Sequence, residues 1–185
     1  MLFRSTLNAI AAKGVDTSRL PCHLALRTVL ESTSRAEAVE KLTKVGVASS
    51  CHIQIADALT GGIGLENTAF DTVEMPQNAS GICTHSNHFV VPHSTECANK
   101  ALPDSTERLA RIQTLLTENM DDPSMEGLRG LLKDEKNYPT AICRAVTEKS
   151  TLATLFSIVM DLTEGYATVK MGRPTEDGQE LELRP

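Results

Sequence analysis

The apolar positions of the first third of the chain repeat with the period of an α-helix. In the first predicted helix, one face carries Leu26, Val29 and Leu30 at the spacing i, i+3 and i+4. Pro21 suits the first position of this helix. Ser34 and Glu37 have the spacing of a capping box that opens a second helix, and Gly46 suits the position just past its end. The pattern predicts a helical hairpin.

The pattern then changes to that of β-strands separated by turn residues. The predicted strands are Ser50–Ala56, Gly62–Glu66, Asp71–Met75 and Gly81–Val91. Turn signals stand at Gly61-Gly62 and at Pro76-Gln77-Asn78. Because short turns join neighbouring strands, we expect antiparallel pairing.

Helical spacing returns at Asp104, and a shorter helix is predicted to open at Asp122-Pro123. Leu152–Leu162 is apolar at nearly every position, which predicts a strand buried on both faces, with Tyr166–Met171 as its hairpin partner. The polar tail at 172–185 is expected to fray. No linker divides the chain, so we predict a single domain over residues 1–185, of the α+β class, with sheet packed under helix layers.

Composition excludes several classes of function. The 185 residues carry a net charge of −6, which argues against a nucleic-acid binder, and no apolar run approaches the length of a membrane span. No signal peptide is recognisable, because Met1–Asn8 has no apolar h-region. No peroxisomal C-terminal tripeptide is recognisable, because the last residues are Leu183-Arg184-Pro185. We therefore expect a cytoplasmic protein. Its five cysteines include no CxxC pair and are expected to be reduced thiols.

The densest group of reactive side chains surrounds His85, and three interpretations compete. One is a metal site built from five potential ligands: Cys83, His85, His88, His93 and Cys97. Their spacing does not match the paired ligands of structural zinc sites. A second is thiol–imidazole catalysis by Cys83 or Cys97. The third is a strand on which Asn87 donates its amide N–H to a developing oxyanion or merely satisfies a loop carbonyl.

Short segments along nearly the whole chain resemble the acyl-coenzyme A:6-aminopenicillanic acid acyltransferase family, also called isopenicillin N acyltransferase. Each segment is short, but they follow one another in the family's order. The matching segments are Leu7-Asn8-Ala9, Pro21–Arg27, Leu30–Ser34, Ala48-Ser49-Ser50, Gly64-Leu65-Glu66, Thr84–His88, Leu102–Ser105 with Arg108, Asn137-Tyr138-Pro139, Ile142–Ala145, Ala153–Phe156 and Gly172–Thr175.

This resemblance implies a fold and a chemistry. Family members are cysteine N-terminal-nucleophile (Ntn) hydrolases with an αββα sandwich. Each is made as a precursor that cuts itself before a Cys, which then acts as nucleophile through a thioester, with its own α-amine as base. The family nucleophile stands in a Gly-Cys-Thr context, and no Cys of this sequence does. We therefore expect a partial Ntn sandwich, the C-terminal half, without the nucleophile.

The resemblance also assigns residue roles. Asn87 matches the Asn that helps to hold the oxyanion, and Ser50 matches a Ser linked to self-processing. Arg144 matches the Arg of a Cys-Arg motif near the active site, although a structural salt bridge is equally expected of it. His85 and Glu66 lie in matching segments and are expected to line the site.

The main functional hypothesis is therefore the C-terminal part of an acyltransferase or amidohydrolase that is inactive alone. Its expected partners are an acyl-CoA or amide substrate and the N-terminal half of the same enzyme, with no cofactor, metal, nucleic acid or membrane. An alternative is a catalytically dead paralogue retained as a binding or regulatory protein. A third is a separate thiol enzyme or zinc protein. Removing half of a sandwich would expose sheet edges and apolar faces, so we expect self-association.

Overall fold

A computed structural model describes residues 3–93, 102–119 and 124–184 of the chain. Its contacts divide the chain into two compact units, Met1–Thr106 and Glu107–Pro185. Each unit combines an antiparallel sheet with helices, which confirms the α+β class. The single domain over 1–185 stays a prediction. No helix in the described part of the chain has the length and apolar character that a membrane span requires.

The first unit contains a four-stranded antiparallel sheet in the order β1-β2-β3-β4. Its strands are β1 (Phe3–Ala9), β2 (Cys51–Asp57), β3 (Gly61–Asn67) and β4 (Thr72–Pro76). Three of the four strands predicted in this region therefore exist, with their ends within one residue of the prediction, whereas the sequence pattern missed β1. The turn between β2 and β3 occupies residues 58–60, so both Gly61 and Gly62 belong to β3.

One face of this sheet packs against the helical hairpin of α1 (Cys22–Leu30) and α2 (Arg35–Val45). The fully buried members of this core come from both layers: Ala25, Val29, Ala38, Leu42, Val47, Cys51, Ile53, Ile55 and Leu65. Ser34 Oγ accepts a hydrogen bond from the Glu37 N–H, as the capping box predicts. Gly46 ends α2 with φ near +73°, a conformation that glycine adopts without strain.

The second unit contains α3 (Ser105–Glu118), whose first residues belong to the first unit, and α4 (Met125–Leu132). Its sheet has the order β5-β6-β7, from β5 (Phe156–Asp161), β6 (Tyr166–Met171) and β7 (Glu180–Leu183). The predicted helix start at Asp122-Pro123 lies outside the described residues, and α4 is capped instead by Ser124 Oγ, which accepts from the Gly127 N–H.

Three sequence predictions about strands are wrong. Gly81–Val91 has no regular secondary structure, because the backbone N–H groups of its end bind a side chain instead of a neighbouring strand. Within Leu152–Leu162 only β5 is a strand, and Phe156 is 54% exposed, because one face of this small sheet packs on α4 and the other does not. The tail does not simply fray, since β7 pairs with β6.

Candidate functional site

The second face of the four-stranded sheet carries polar side chains in one row. Asn8 on β1 pairs with His52 on β2, and His52 pairs with Glu66 on β3. Because directly paired residues point to the same face, these three side chains lie side by side, opposite the apolar core. His52 and Glu66 are almost fully buried. The irregular segment 82–93 covers this row.

Glu66 is the centre of this site. Its Oε1 accepts hydrogen bonds from His85 Nε2 at 2.7 Å and from the Val90 N–H at 2.6 Å. Its Oε2 accepts from His93 Nε2 at 3.0 Å and from the Val91 N–H at 3.2 Å. A buried carboxylate with four donors is fully satisfied. All four donors belong to residues 85–93, so Glu66 ties this segment to the sheet.

The surroundings of Glu66 favour its ionised form. Burial alone would raise the pKa of this carboxyl group, because a charge loses its hydration there. The hydrogen bonds from His85, from the backbone N–H groups of Val90 and Val91 and from His93 outweigh that effect and hold the pKa of Glu66 below its ordinary value. The segment is therefore held by a carboxylate and not by a neutral acid.

Both imidazole rings that touch Glu66 have an acceptor on each side. His93 lies between two carboxylates, with Nδ1 at 2.9 Å from Asp71 Oδ1. His85 Nδ1 lies 2.6 Å from the Ser86 carbonyl oxygen. Neither acceptor can donate, whereas the Asn8 side-chain amide nitrogen, itself a donor, lies 3.5 Å from the same His85 Nδ1. We call Glu66, Asp71, His85 and His93 the carboxylate–imidazole cluster.

His52 stacks on this cluster as a neutral ring. Its centroid lies 3.7 Å from that of His85, with the planes 5° apart. Burial lowers the pKa of His52 to about 3, with a further contribution from His85 that the nearby Glu66 only partly offsets. Its buried Nε2 has no hydrogen-bond partner among the described residues. The ring lies over Gly64, where a Cβ atom would be 2.5 Å from this nitrogen.

Asn87 is held from two directions. Its N–H donates to Ser105 Oγ at 2.8 Å, and Ser105 is a fully buried residue at the start of α3. Its side-chain Nδ2 donates to the Ala9 carbonyl at the end of β1 at 3.0 Å. Asn87 therefore satisfies the carbonyl group of the last residue of β1, and this contact orients the plane of its amide group. It does not lie on a strand.

Ser50 immediately precedes β2 at the same end of the sheet. Its carbonyl oxygen accepts from the Ile10 N–H at 3.4 Å, so Ser50 and Asn87 both contact the end of β1. The Ser50 hydroxyl is buried and has no hydrogen-bond partner in the described structure. A buried hydroxyl without a partner is unfavourable and needs an explanation.

Comparison with known proteins identifies the family. The model of the acyl-coenzyme A:6-aminopenicillanic acid acyltransferase family matches residues 4–176. The chain belongs to this acyltransferase family. It is 39% identical over 170 residues to the 40 kDa form of acyl-coenzyme A:6-aminopenicillanic-acid acyltransferase from Emericella nidulans. That match covers 90% of this chain and 47% of the relative, so the chain spans about half the length of the acyltransferase that it matches.

The structure brings together some of the predicted site residues of this acyltransferase-family chain. Glu66 and His85 are in direct contact, and Asn87 follows two residues later. Arg144 lies in the second unit, where its N–H donates to Thr154 Oγ1 at 2.9 Å. Its carbonyl oxygen accepts from Arg173 Nε at 2.9 Å. These contacts organise the backbone around Arg144.

The described thiols Cys83 and Cys51 are not activated. Burial raises the pKa of Cys83, although hydrogen bonds from Gln54 and the Gly64 backbone partly oppose that effect. Burial, with a smaller contribution from Cys22, raises the pKa of Cys51 to about 12. A nucleophilic cysteine needs the opposite shift. In the parts of the chain that the structure describes, no three His, Cys, Asp or Glu side chains are arranged so that they could hold a metal ion together, and Cys97 lies outside those parts.

Sequence reasoning missed several residues of this site. His93 was considered only as a metal ligand, whereas His52, Asp71 and Ser105 were not singled out. The alternation along β2 contains a usable signal, because apolar Ile53 and Ile55 alternate with polar His52 and Gln54. The first residues of β2 are buried on both its polar and its apolar face. A buried polar face of this kind indicates a polar site that another part of the chain shields from solvent. No periodicity in the sequence predicts that residues 85–93 donate the hydrogen bonds to Glu66.

Proposed function

We propose that this chain forms part of an enzyme that transfers acyl groups or cleaves amides through a cysteine thioester. Its fold in this proposal is part of an Ntn-type αββα sandwich. The observation that carries this proposal is the family match over residues 4–176. Within it, Asn87 is held by a buried serine and by the Ala9 carbonyl. The nucleophile is supplied by a segment outside these 185 residues, and the isolated chain is inactive.

In the proposed reaction the thiolate adds to the carbonyl carbon of the acyl donor, and negative charge develops on the carbonyl oxygen. Expulsion of the leaving group gives the thioester. The acceptor amine then attacks the thioester, loses its proton, and the free thiol is restored. The Asn87 amide donates to the oxyanion in both steps. One such donor contributes about 100-fold to 1,000-fold in kcat.

A chimera tests this proposal. The part of the Emericella acyltransferase that this chain matches is replaced by residues of this chain, and transfer from an acyl-CoA to 6-aminopenicillanic acid is measured. We expect activity, and a loss of kcat of about 100-fold or more for Asn87→Ala. Gln179→Ala serves as the matched control, because it removes an exposed amide of the second unit.

The outcomes separate the alternatives. A chimera that unfolds cooperatively but transfers no acyl group contradicts the proposal and favours a binding or regulatory protein. Efficient turnover by the isolated 185-residue chain contradicts the external nucleophile. Equal effects of Asn87→Ala and Gln179→Ala would remove Asn87 from the oxyanion site.

A further inference from the structure

Segment 84–93 contains the proposed oxyanion residue but has no regular secondary structure. Its conformation must therefore be fixed by side chains. Glu66 contacts it on both sides of Asn87, at His85 before it and at Val90, Val91 and His93 after it. The segment between these anchors has little freedom to move.

We propose that Glu66 is a positioning residue for Asn87, and that it acts through a charge-balanced cluster. Glu66 and Asp71 contribute two negative charges, and doubly protonated His85 and His93 contribute two positive charges. The inference about catalysis rests on the proposed function, whereas the positioning itself does not. Glu66 acts on Asn87 through residues 85–91, which it contacts at His85, Val90 and Val91.

The burial of the cluster is the reason that its charges must balance. The side chains of Glu66, His85 and His93 are 0%, 1% and 3% exposed, and that of Asp71 is 18% exposed. An unpaired charge is strongly disfavoured at such a site, whereas paired charges with every hydrogen bond satisfied are tolerated. The His52 ring, which stacks on His85, is neutral.

Ser105 fixes the other side of the same segment. Its Oγ accepts from the Asn87 N–H, lies 2.8 Å from His88 Nδ1 and donates to Ser86 Oγ at 3.1 Å. Residues 86–88 are therefore attached to α3, while their flanks are attached to β3. Two elements that are far apart in sequence define the place of Asn87.

The test compares Glu66→Gln with Glu74→Gln, which removes an exposed carboxylate from the neighbouring strand β4. We expect the amide hydrogens of Val90 and Val91 to exchange at least about tenfold faster in Glu66→Gln than in Glu74→Gln. The exchange rates of the β2 amide hydrogens should agree within about twofold between the two variants. Unchanged exchange at Val90 and Val91 in folded Glu66→Gln overturns the positioning role.

The charge state gives a second readout, which a merely structural role would not change. Imidazole nitrogen-15 chemical shifts of the parent chain at pH 7 should report two doubly protonated rings, at His85 and His93. In Glu66→Gln at least one ring should lose a proton. Neutral rings in the parent chain overturn the charge-balanced cluster.

A third variant keeps the proposal testable if Glu66→Gln does not fold. His93→Gln retains a donor for Glu66 Oε2 but removes one positive charge. We expect faster exchange at Val91 and retained protection in α1 and α2. Unchanged exchange at Val91 contradicts the proposal.

In the acyl-transfer chimera, Glu66→Gln should lower kcat more than it changes KM. An inactive parent chimera leaves the exchange results valid, so the two proposals fail separately.

Discussion

At the scale of single residues, the site combines buried polar groups that have all their partners with others that do not. Glu66 accepts four hydrogen bonds, whereas the Ser50 hydroxyl and His52 Nε2 accept none from the described residues. Unpartnered buried polar atoms reduce stability. Both lie at the end of the sheet that contacts the Asn87 segment.

His52 should make the chain sensitive to acid. Its pKa lies at about 3 in the folded chain and near 6.5 when the chain is unfolded. Between these values the unfolded state binds a proton that the folded state does not, so the folded state loses stability as pH falls. The contribution is complete above pH 6.5, and the slope for one group reaches about 1.4 kcal/mol per pH unit.

His52→Gln tests this prediction by urea unfolding at several pH values from 5 to 6.5. We expect the slope of the free energy of unfolding against pH to be clearly more positive in the parent chain than in His52→Gln. His23→Gln is the control, because His23 is an exposed residue of α1. Equal slopes in all three proteins would show that His52 does not carry the effect.

At the scale of secondary structure elements, periodic segments were predictable and segments held by side chains were not. The helix α2 was recovered from its capping box, because a cap is encoded within four residues. The sequence pattern predicts a strand over 81–91, whereas the N–H groups of Val90 and Val91 bind Glu66, which lies 24 residues away from Val90. The strand β1 was missed because its pairing with β2 spans more than 40 residues of sequence.

The candidate site was predictable in its members and not in its arrangement. Resemblance drew attention to Glu66, His85, Asn87 and Ser50. It did not reveal that two of them are in contact, because contacts between a strand and an irregular segment leave no periodic signal in the sequence. His52 and Glu66 became neighbours only through the register of β2 and β3.

Two glycine substitutions should have opposite effects on stability. In Gly64→Ala the new Cβ would lie 2.5 Å from His52 Nε2 and 3.3 Å from Cys83 Sγ. The His52 ring cannot easily withdraw, because it is stacked on His85. We expect a loss of about 1–3 kcal/mol. Gly130 lies in α4 with open space around it, and Gly130→Ala should stabilise the chain by about 0.5–1 kcal/mol.

Thermal and urea unfolding of both variants beside the parent chain measure these changes. The pair controls for the general effect of replacing glycine by alanine on the unfolded chain. A Gly64→Ala variant as stable as the parent would mean that the His52 ring does not lie close over β3.

At the scale of the whole molecule, the two sheets differ in how their faces are used. The four-stranded sheet buries an apolar face under α1 and α2 and a polar face under segment 82–93. In the three-stranded sheet, Arg129 of α4 donates to Thr168 on one face at 3.2 Å. The opposite face consists of apolar side chains: Phe156, Ile158, Met160, Ala167, Val169, Met171, Leu181 and Leu183.

This apolar face supports the expectation that the isolated chain self-associates. Phe156 and Met171 are cross-strand neighbours and are 54% and 42% exposed, and Leu183 is 50% exposed. The edge strands β5 and β7 also offer unpaired backbone groups. Apolar surface of this kind is removed from water by association. We expect the average mass in sedimentation velocity experiments to rise with protein concentration.

Met171→Glu should weaken this association, because it places a charge on the exposed part of the apolar face and makes the net charge of −6 more negative. We expect a reduction of about tenfold, which corresponds to about 1.4 kcal/mol. Thr163→Glu adds the same charge at the exposed turn between β5 and β6 and should leave the association unchanged. Equal effects of both substitutions would indicate general charge repulsion, and a parent chain that stays monomeric at every concentration would show that its apolar face does not drive association.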